Sequence, residues 1–166
     1  SRETLETIRD SMAIPVFLDV NLRAPWWEPT TLNDLMDKAR WLKLNEEELP
    51  QLSGPEAEDD GIAAAMLYDR GLASLPLTRG ERGALMMADD GRVAEAGTTR
   101  SRIVDTVGAG DAFSSVCILG ILQDWSLDQV LERASDFAAR ICGIQGALSA
   151  EKELYREMLE QWGRPG

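Results

Sequence analysis

Short apolar runs of strand length alternate along this chain with segments whose apolar residues recur at helical spacing. The runs PVFLDV, WLKLN and LPLT are largely hydrophobic, which is typical of strands covered on both faces of a parallel sheet. Helical spacing precedes, separates and follows these runs, over residues 2–12, 31–41, 59–71, 111–123, 126–141 and 150–162. This alternation predicts an α/β fold with a largely parallel sheet flanked by helices.

Turn and capping signals predict where several elements begin and end. Asp90-Gly91, between GALMMAD and RVAEAG, predicts a β-hairpin at the edge of the sheet. Thr31 is the expected N-cap of the helix over 31–41, and Ser126 with Gln129 predicts a capping box. The acidic stretch from Asn45, which contains Pro and Gly, is expected to be a surface connection up to the next helix.

The composition argues against several classes of protein. Since 17 Lys and Arg stand against 29 Asp and Glu, the net charge is −12, and nucleic acid is not an expected partner. The chain has no histidine, which leaves acid–base chemistry to carboxylates, lysine or tyrosine. Cys117 and Cys142 show no CxxC spacing and are expected to be reduced core thiols of a cytoplasmic protein. No apolar run approaches the roughly 20 residues of a membrane span.

The strongest chemical signal is the segment DTVGAGDAF, residues 105–113. Its two glycines lie directly before a predicted helix, where backbone N–H groups and the helix dipole favour an anion. An aspartate at the same place suits phosphoryl transfer: the amides stabilise charge on the γ-phosphoryl group while Asp111 takes a proton from the attacking hydroxyl. From the spacing alone, a tight turn with Asp111 as an N-terminal charge explains the segment equally well.

The same segment resembles the C-terminal signature of the ribokinase-like carbohydrate kinases, the PfkB family. Three further segments follow the family's order: DVNLR (19–23) resembles D-x-N-x-R, NEEE (45–48) resembles N-x-x-E, and TRGERG (78–83) resembles the T-x-G-x-x-G nucleotide loop. The resemblance implies a ribokinase-like fold and an ATP-dependent phosphotransferase that acts on a sugar primary hydroxyl. The stretch DVNLRAPWW is most similar to fructokinase-like members.

Residue roles follow from the resemblance. Asp111 would be the catalytic base, and the backbone amides of Ala109, Gly110 and Asp111 would form the anion hole, with Gly108 also among the catalytic residues. The implied nucleotide-binding residues are Asn45, Thr78, Gly80 and Gly83, and the implied substrate-binding residues are Asn21 and Arg23.

The resemblance also implies cofactors. ATP and Mg²⁺ are expected, with Glu48 near the Mg²⁺ through water. Asp105, with the loop Gly143–Ala147, would bind a monovalent cation, and K⁺ is a family inference only. Where many members carry an asparagine beside the adenine, this chain has Ser135.

Several of these residues also have purely structural interpretations. Asn45 and Glu48 match a capping-box variant, and Gly80 and Gly83 suit a turn before the next strand. Arg23 suits a loop arginine paired with one of the many carboxylates. Trp26 and Trp27 are expected to pack in the core or in an interface rather than under a sugar.

The motifs extend over nearly the whole chain but match only the C-terminal half of the family's fold. Residues 1–166 are therefore expected to be the nucleotide-binding and catalytic part of a single ribokinase-like domain, without its N-terminal half and lid. Apolar surface left open would be covered by that missing half or by a homodimer. Two alternatives remain: a 2-keto-3-deoxygluconate or nucleoside kinase, and a nucleotide-binding half-domain without catalysis.

Overall fold

The computed structural model describes residues 2–53, 59–97, 103–147 and 152–163. Helices and strands follow one another in the order α1 (Arg2–Met12), β1 (Phe17–Asp19), α2 (Pro29–Met36), β2 (Trp41–Asn45), α3 (Leu49–Ser53), α4 (Asp59–Asp69), β3 (Ser74–Thr78), β4 (Ala84–Ala88), β5 (Val93–Ala96), α5 (Ala109–Leu122), α6 (Leu127–Cys142) and α7 (Lys152–Gln161). A 3₁₀ turn, Gly80–Arg82, lies between β3 and β4. The α/β fold class is confirmed.

The strands follow the order β1-β2-β3-β4-β5 in one five-stranded sheet. β1 is parallel to β2, and β2 is parallel to β3, with Asp19 opposite Lys43 and Asn45 opposite Thr78. Parallel neighbours require crossover connections, which α2 and α4 provide. The carboxyl ends of β1, β2 and β3 therefore lie at one edge of the sheet, where open α/β sheets place ligand groups.

The chain divides into two compact units. The first contains Ser1–Thr78 and Met87–Arg92, and the second contains Arg79–Met86 and Val93–Gly166. In the first unit the fully buried large side chains are Met36, Leu42, Leu44, Leu49, Leu67, Leu72, Leu75 and Leu77. In the second they are Leu85, Met86, Phe113 and Leu131. Assignment of residues 1–166 to a single domain stays a prediction.

The second unit is organised by the packing of α5 on α6. Gly120 allows the close approach, because a Cβ there would lie 2.6 Å from Val130 Cγ2. An aromatic cluster holds α7 against α6: the ring centroids of Phe137 and Tyr155 are 6.0 Å apart, and those of Phe137 and Trp162 are 6.2 Å apart, both in edge-to-face geometry.

Two local predictions are confirmed. At the hairpin turn, Ala88 N–H donates to Arg92 O at 3.0 Å, and Gly91 adopts a φ of +84°. At the start of α6, Gln129 N–H donates to Ser126 Oγ at 3.3 Å and Ser126 N–H donates to Gln129 Oε1 at 3.1 Å, which is the predicted capping box.

Other boundaries differ from the prediction. α2 begins at Pro29 rather than after Thr31, because the fixed φ of proline suits the first helical position. Part of the predicted surface connection forms α3, since Leu49 is buried and holds that turn in the core. β1 covers only three of the six residues of its apolar run. The predicted start of the last helix falls in 148–151, outside the described residues.

No helix in the described part of the chain is long and apolar enough to cross a membrane.

Neither cysteine forms a disulfide; Cys117 is buried and Cys142 is half-buried. Burial first, and then the negative charge of Asp105, raise the pKa of Cys142. Cys142 is therefore a neutral thiol at physiological pH, as expected for a structural cysteine.

Candidate active site

The predicted site residues lie in three places. The strand-end cluster contains Asn21, Arg23, Asn45, Glu48 and Thr78, all in the first unit. The glycine turn is the segment Arg79–Gly83, and the helix-start cluster contains Asp105, Gly108–Asp111 and the loop Gly143–Ala147, all in the second unit.

Glu48 is the centre of the strand-end cluster. Its residue surface is only 3% exposed. Its Oε2 accepts from Asn45 N–H at 2.9 Å, and Asn45 Oδ1 accepts in return from Glu48 N–H at 3.0 Å. This reciprocal pair has the geometry of the predicted capping box, formed in the turn before α3. The other carboxylate oxygen, Oε1, accepts from Leu22 N–H at 2.9 Å.

A buried ion pair lies beside this turn. Lys43 Nζ is 3.0 Å from Asp19 Oδ1, and Lys43 is only 5% exposed. Side chains two residues apart on a strand share a face. Lys43 therefore lies on the same face of β2 as Asn45, two residues before it. The motif analysis did not single out Lys43. The signal was a charged residue inside the otherwise apolar run WLKLN.

The loop after β1 carries the predicted substrate-binding side chains. Asn21 and Arg23 are both exposed, and Asn21 adopts a φ of +45°. Arg23 Nε donates to Asn21 Oδ1 at 3.4 Å, and Arg23 forms no ion pair with any described carboxylate. Trp26 is 86% exposed and therefore lies outside the core, so that its packing in an interface stays a prediction, whereas Trp27 is half-buried.

Thr78 links two strand ends. Its Oγ1 donates to Leu44 O at 3.5 Å, and its carbonyl oxygen accepts from Glu46 N–H at 2.9 Å. The structure thus brings Asn45, Glu48 and Thr78 together at the carboxyl ends of β2 and β3, and ties the Asn21–Arg23 loop to them through Leu22.

The glycine turn has a steric explanation at Gly83. Its φ is +86°, and a Cβ there would lie 2.0 Å from Ala96 O, so no other residue fits. Within the turn, Arg79 N–H donates to Gly83 O at 2.8 Å and Gly83 N–H donates to Gly80 O at 3.1 Å. The turn-shaping interpretation is therefore observed, and nucleotide binding by Gly80 and Gly83 stays a prediction.

Asp105 organises the loop before α5. Its Oδ1 accepts from Val107 N–H at 3.0 Å and its Oδ2 accepts from Gly146 N–H at 3.0 Å. The hydrogen bond from Val107, and then that from Gly146, lower the pKa of the Asp105 carboxyl. The loop Gly143–Ala147 thus lies beside Asp105, and binding of a monovalent cation there stays a prediction. Gly108 also packs against this loop: its φ is +84°, and a Cβ there would lie 2.6 Å from Ala147 Cα.

The first turn of α5 leaves hydrogen-bond donors open. Ala109 N–H donates to Thr106 O at 3.3 Å and Ala112 N–H donates to Gly108 O at 2.8 Å. No acceptor in the described ranges takes the amide hydrogens of Gly110 and Asp111, and the exposed Asp111 carboxylate has no partner there. Two open amides at a helix N-terminus bind anions, and an open carboxylate beside them is placed to accept a proton. Of the three predicted anion-hole amides, that of Ala109 is engaged in the turn.

A groove of about 680 Å³ lies within the second unit between β5, α6 and α7. It is lined by Ser135, whose buried Oγ has no hydrogen-bond partner in the described structure. Charged side chains form much of its lining, but Arg140 is paired with Asp136 at 3.1 Å and Arg133 stacks on Trp125 at 4.0 Å. Sequence reasoning singled out Ser135 but not the groove, because its walls come from three separate elements.

Residues 1–153 match the pfkB family of carbohydrate kinases. The chain is 34% identical to a fructokinase of Klebsiella pneumoniae over 146 residues, which is 81% of this chain and 47% of that enzyme. It is 40% identical over 98 residues to a deoxyribokinase of Salmonella typhi, which is 57% of this chain and 32% of that enzyme. The protein therefore belongs to the pfkB family of carbohydrate kinases, which are phosphotransferases, and the resemblance seen in its motifs is confirmed.

Solved structures confirm the ribokinase-like fold. An Escherichia coli protein designated Ribokinase II, solved with ATP and Mg²⁺, superposes with a TM-score of 0.78 at 18% identity, covering 96% of this chain and 53% of that one. The aminoimidazole riboside kinase of Salmonella enterica, solved with aminoimidazole riboside and an ATP analogue, gives 0.73 at 27% identity, covering 91% and 54%. The chain thus spans about half the length of these relatives.

Proposed function

We propose that the protein is an ATP-dependent sugar kinase that transfers the γ-phosphoryl group of ATP to a primary hydroxyl. Membership of a family of carbohydrate kinases supports the reaction class. The observation that carries the mechanism is the start of α5, where the open amides of Gly110 and Asp111 stand beside the unpartnered Asp111 carboxylate. A cytoplasmic location belongs to the proposal, because ATP and reduced thiols are found there.

In the proposed reaction, the sugar hydroxyl oxygen forms a bond to the γ-phosphorus while the bond from that phosphorus to the bridging oxygen of ADP breaks. Asp111 accepts the hydroxyl proton and later releases it to water. The helix-start amides stabilise the negative charge on the transferring group. A carboxylate is a sufficient base, because phosphoryl transfer depends mainly on positioning and charge stabilisation.

The remaining site residues divide by ligand. Asn45, Thr78, Gly80 and Gly83 are proposed to bind the nucleotide. Asn21 and Arg23 are proposed to bind the sugar, for which the two side chains are exposed and carry both donors and an acceptor.

Two cations belong to this proposal, Mg²⁺ and K⁺. Among the described residues, no group of three or more acidic or cysteine side chains is placed to hold a metal ion. This fits a Mg²⁺ ion bound mainly by phosphates and water, with Glu48 as one nearby carboxylate, since Mg²⁺ seldom uses an all-protein site. When bound, Mg²⁺ would neutralise phosphate charge. K⁺ at Asp105 is tested by assaying turnover in sodium and potassium salts.

Fructose is the first substrate to test, because the Klebsiella relative, which matches 81% of this chain, is a fructokinase. A nucleoside kinase of Burkholderia thailandensis and a 2-dehydro-3-deoxygluconokinase of Thermotoga maritima share the fold at 23% and 20% identity. A panel of fructose, 2-deoxyribose, inosine and 2-keto-3-deoxygluconate, read as ADP release, separates these substrates. No ADP release with any of them would contradict the proposed kinase activity.

The length of the matched relatives supports a second candidate, a nucleotide-binding half-domain without catalysis. The chain spans 47% of the Klebsiella fructokinase, so completion by another half or by a homodimer is proposed for the active enzyme. Intact mass and sedimentation establish the length and assembly of the natural protein. Calorimetry with Mg-ATP beside the turnover assay then decides: binding with turnover supports the kinase, and binding without turnover supports the half-domain.

A further inference from the structure

Glu48 makes a contact that its capping role does not require. A capping box uses one carboxylate oxygen, and Oε2 fills that role with Asn45 N–H. Oε1 accepts at 2.9 Å from the backbone N–H of Leu22, 26 positions earlier in the chain. One side chain therefore ties the loop after β1 to the turn after β2.

The environment of the Glu48 carboxylate makes this tether strong. The residue is 3% exposed, and each oxygen accepts a backbone N–H at 2.9 Å. Hydrogen bonds to a charged acceptor are stronger than neutral ones, and a part-buried N–H that loses its acceptor is only partly solvated by water. The position of Leu22 N–H is thus fixed by Glu48.

The tethered loop carries two side chains with few contacts of their own. Asn21 and Arg23, which flank Leu22, are exposed, and the hydrogen bond between them is long at 3.4 Å. The Asp19–Lys43 ion pair holds the beginning of the loop at β1, and the Leu22–Glu48 hydrogen bond holds its middle. The placement of Asn21 and Arg23 therefore depends on these two anchors.

We propose that Glu48 is a positioning residue, which holds the Asn21–Arg23 loop in its substrate-binding position through the Leu22 amide. This rests on the proposed function, in which Asn21 and Arg23 bind the sugar. The consequence is specific: loss of the Glu48 carboxylate weakens sugar binding, even though Glu48 belongs to the motif expected near the nucleotide and Mg²⁺.

The tether itself is tested on the ligand-free protein by amide hydrogen exchange at Leu22, with Glu48→Gln, Glu48→Ala and the control Glu47→Gln. Glu47 lies in the same turn but is exposed. A carboxamide offers one acceptor oxygen instead of two, and glutamine is tolerated in a capping box. Glu48→Gln is therefore expected to lose the hydrogen bond from Leu22 N–H and to keep the one from Asn45 N–H. We expect Leu22 to exchange about tenfold faster or more in both Glu48 variants, which corresponds to 1.4 kcal/mol or more, and unchanged exchange in Glu47→Gln.

The positioning role is tested by kinetics of the active protein with Mg-ATP and its best sugar. We expect Glu48→Gln to raise the KM for the sugar about tenfold, to change kcat less, and to leave the Mg²⁺ concentration for half-activation unchanged. Wild-type Leu22 exchange in a folded Glu48→Ala variant would overturn the tether. A wild-type sugar KM with a raised Mg²⁺ requirement would overturn the positioning role. If no sugar is phosphorylated by the wild type, the proposed function fails, whereas the exchange data still decide on the tether.

Discussion

In both the strand-end cluster and the helix-start cluster, one carboxylate holds two backbone segments together, but the two carboxylates differ in burial. In each, one carboxylate accepts two backbone N–H groups: Glu48 from Leu22 and Asn45, and Asp105 from Val107 and Gly146. Each carboxylate thereby joins chain segments that are distant in sequence. Glu48 in the strand-end cluster is buried, with 3% of its surface exposed, whereas Asp105 in the helix-start cluster is half-buried.

The clusters differ in what remains available for a ligand. At the strand ends, the two buried ionic side chains are already engaged, since Lys43 pairs with Asp19 and both oxygens of Glu48 accept backbone N–H groups. At the helix start, the Gly110 and Asp111 amides and the Asp111 carboxylate have no partner in the described structure. Under the proposed function, we therefore expect substitution of Lys43 to act mainly on stability and substitution of Asp111 to act mainly on activity.

Asp111→Asn should give the largest effect, and on activity alone. We expect kcat of the active protein to fall about 10³-fold, since a general base contributes about 10²–10⁴, or roughly 4 kcal/mol of barrier. Because Asp111 is exposed and has no described partner, the free energy of unfolding should change by less than about 0.5 kcal/mol. Steady-state ADP release and chemical denaturation measure the two quantities.

The matched control is Asp128→Asn, an exposed aspartate in the first turn of α6, a helix start without preceding glycines. It should retain wild-type kcat within a factor of about two, a difference of roughly 0.4 kcal/mol. Equal losses in both variants would mean that negative charge at a helix start, rather than base catalysis, explains the effect.

Lys43→Met should lower stability most among the strand-end variants. Removal of the ammonium leaves the Asp19 carboxylate without the positive charge of Lys43. We expect the free energy of unfolding to fall by about 3 kcal/mol, which is the lower end for a broken buried ion pair. Lys38→Met is the control, because the Lys38–Asp34 pair is an i,i+4 pair with both side chains about one-third exposed; its loss should cost less than about 0.5 kcal/mol. Equal effects in urea denaturation would argue against a structural role for the buried pair.

Gly108→Ala tests the steric fit of the helix-start cluster. The left-handed φ and the contact of the new Cβ with Ala147 Cα should together lower the free energy of unfolding by about 2 kcal/mol. Gly61→Ala is the control, since Gly61 lies in α4 with nothing within 4 Å of a built Cβ; it should be stabilising by about 0.5–1 kcal/mol. Loss of stability in both variants would contradict the packing described at Gly108.

Asp105→Asn should give the smallest effect, and one that depends on pH. Because the folded protein lowers the pKa of Asp105, its contribution to stability is fully present above the ordinary aspartate value of about 3.9 and is lost as pH falls through the folded value. The variant should therefore be less stable than wild type at neutral pH, and the two curves should converge on the acid side. Parallel melting curves from neutral to strongly acidic pH would show that Asp105 is not the titrating group.

The sequence by itself determined the features that depend on neighbouring residues. Apolar periodicity predicted the α/β fold, Asp90-Gly91 predicted the hairpin, and Ser126 with Gln129 predicted the capping box, because each depends on residues within a turn or a few turns. The DTVGAGDAF segment similarly predicted the start of α5 with Asp111 in its first turn, since the glycines and Asp111 lie beside one another in the chain, whereas the catalytic role of Asp111 stays a prediction.

The tertiary structure alone decided which distant groups meet. The bond from Leu22 to Glu48 spans 26 residues and that from Gly146 to Asp105 spans 41, and no local pattern encodes either contact. α3 escaped prediction for the same reason, because burial of Leu49, and not its acidic flanks, holds it in place. Local propensity selects the elements, whereas the pairing of buried carboxylates with backbone amides is set by how those elements pack.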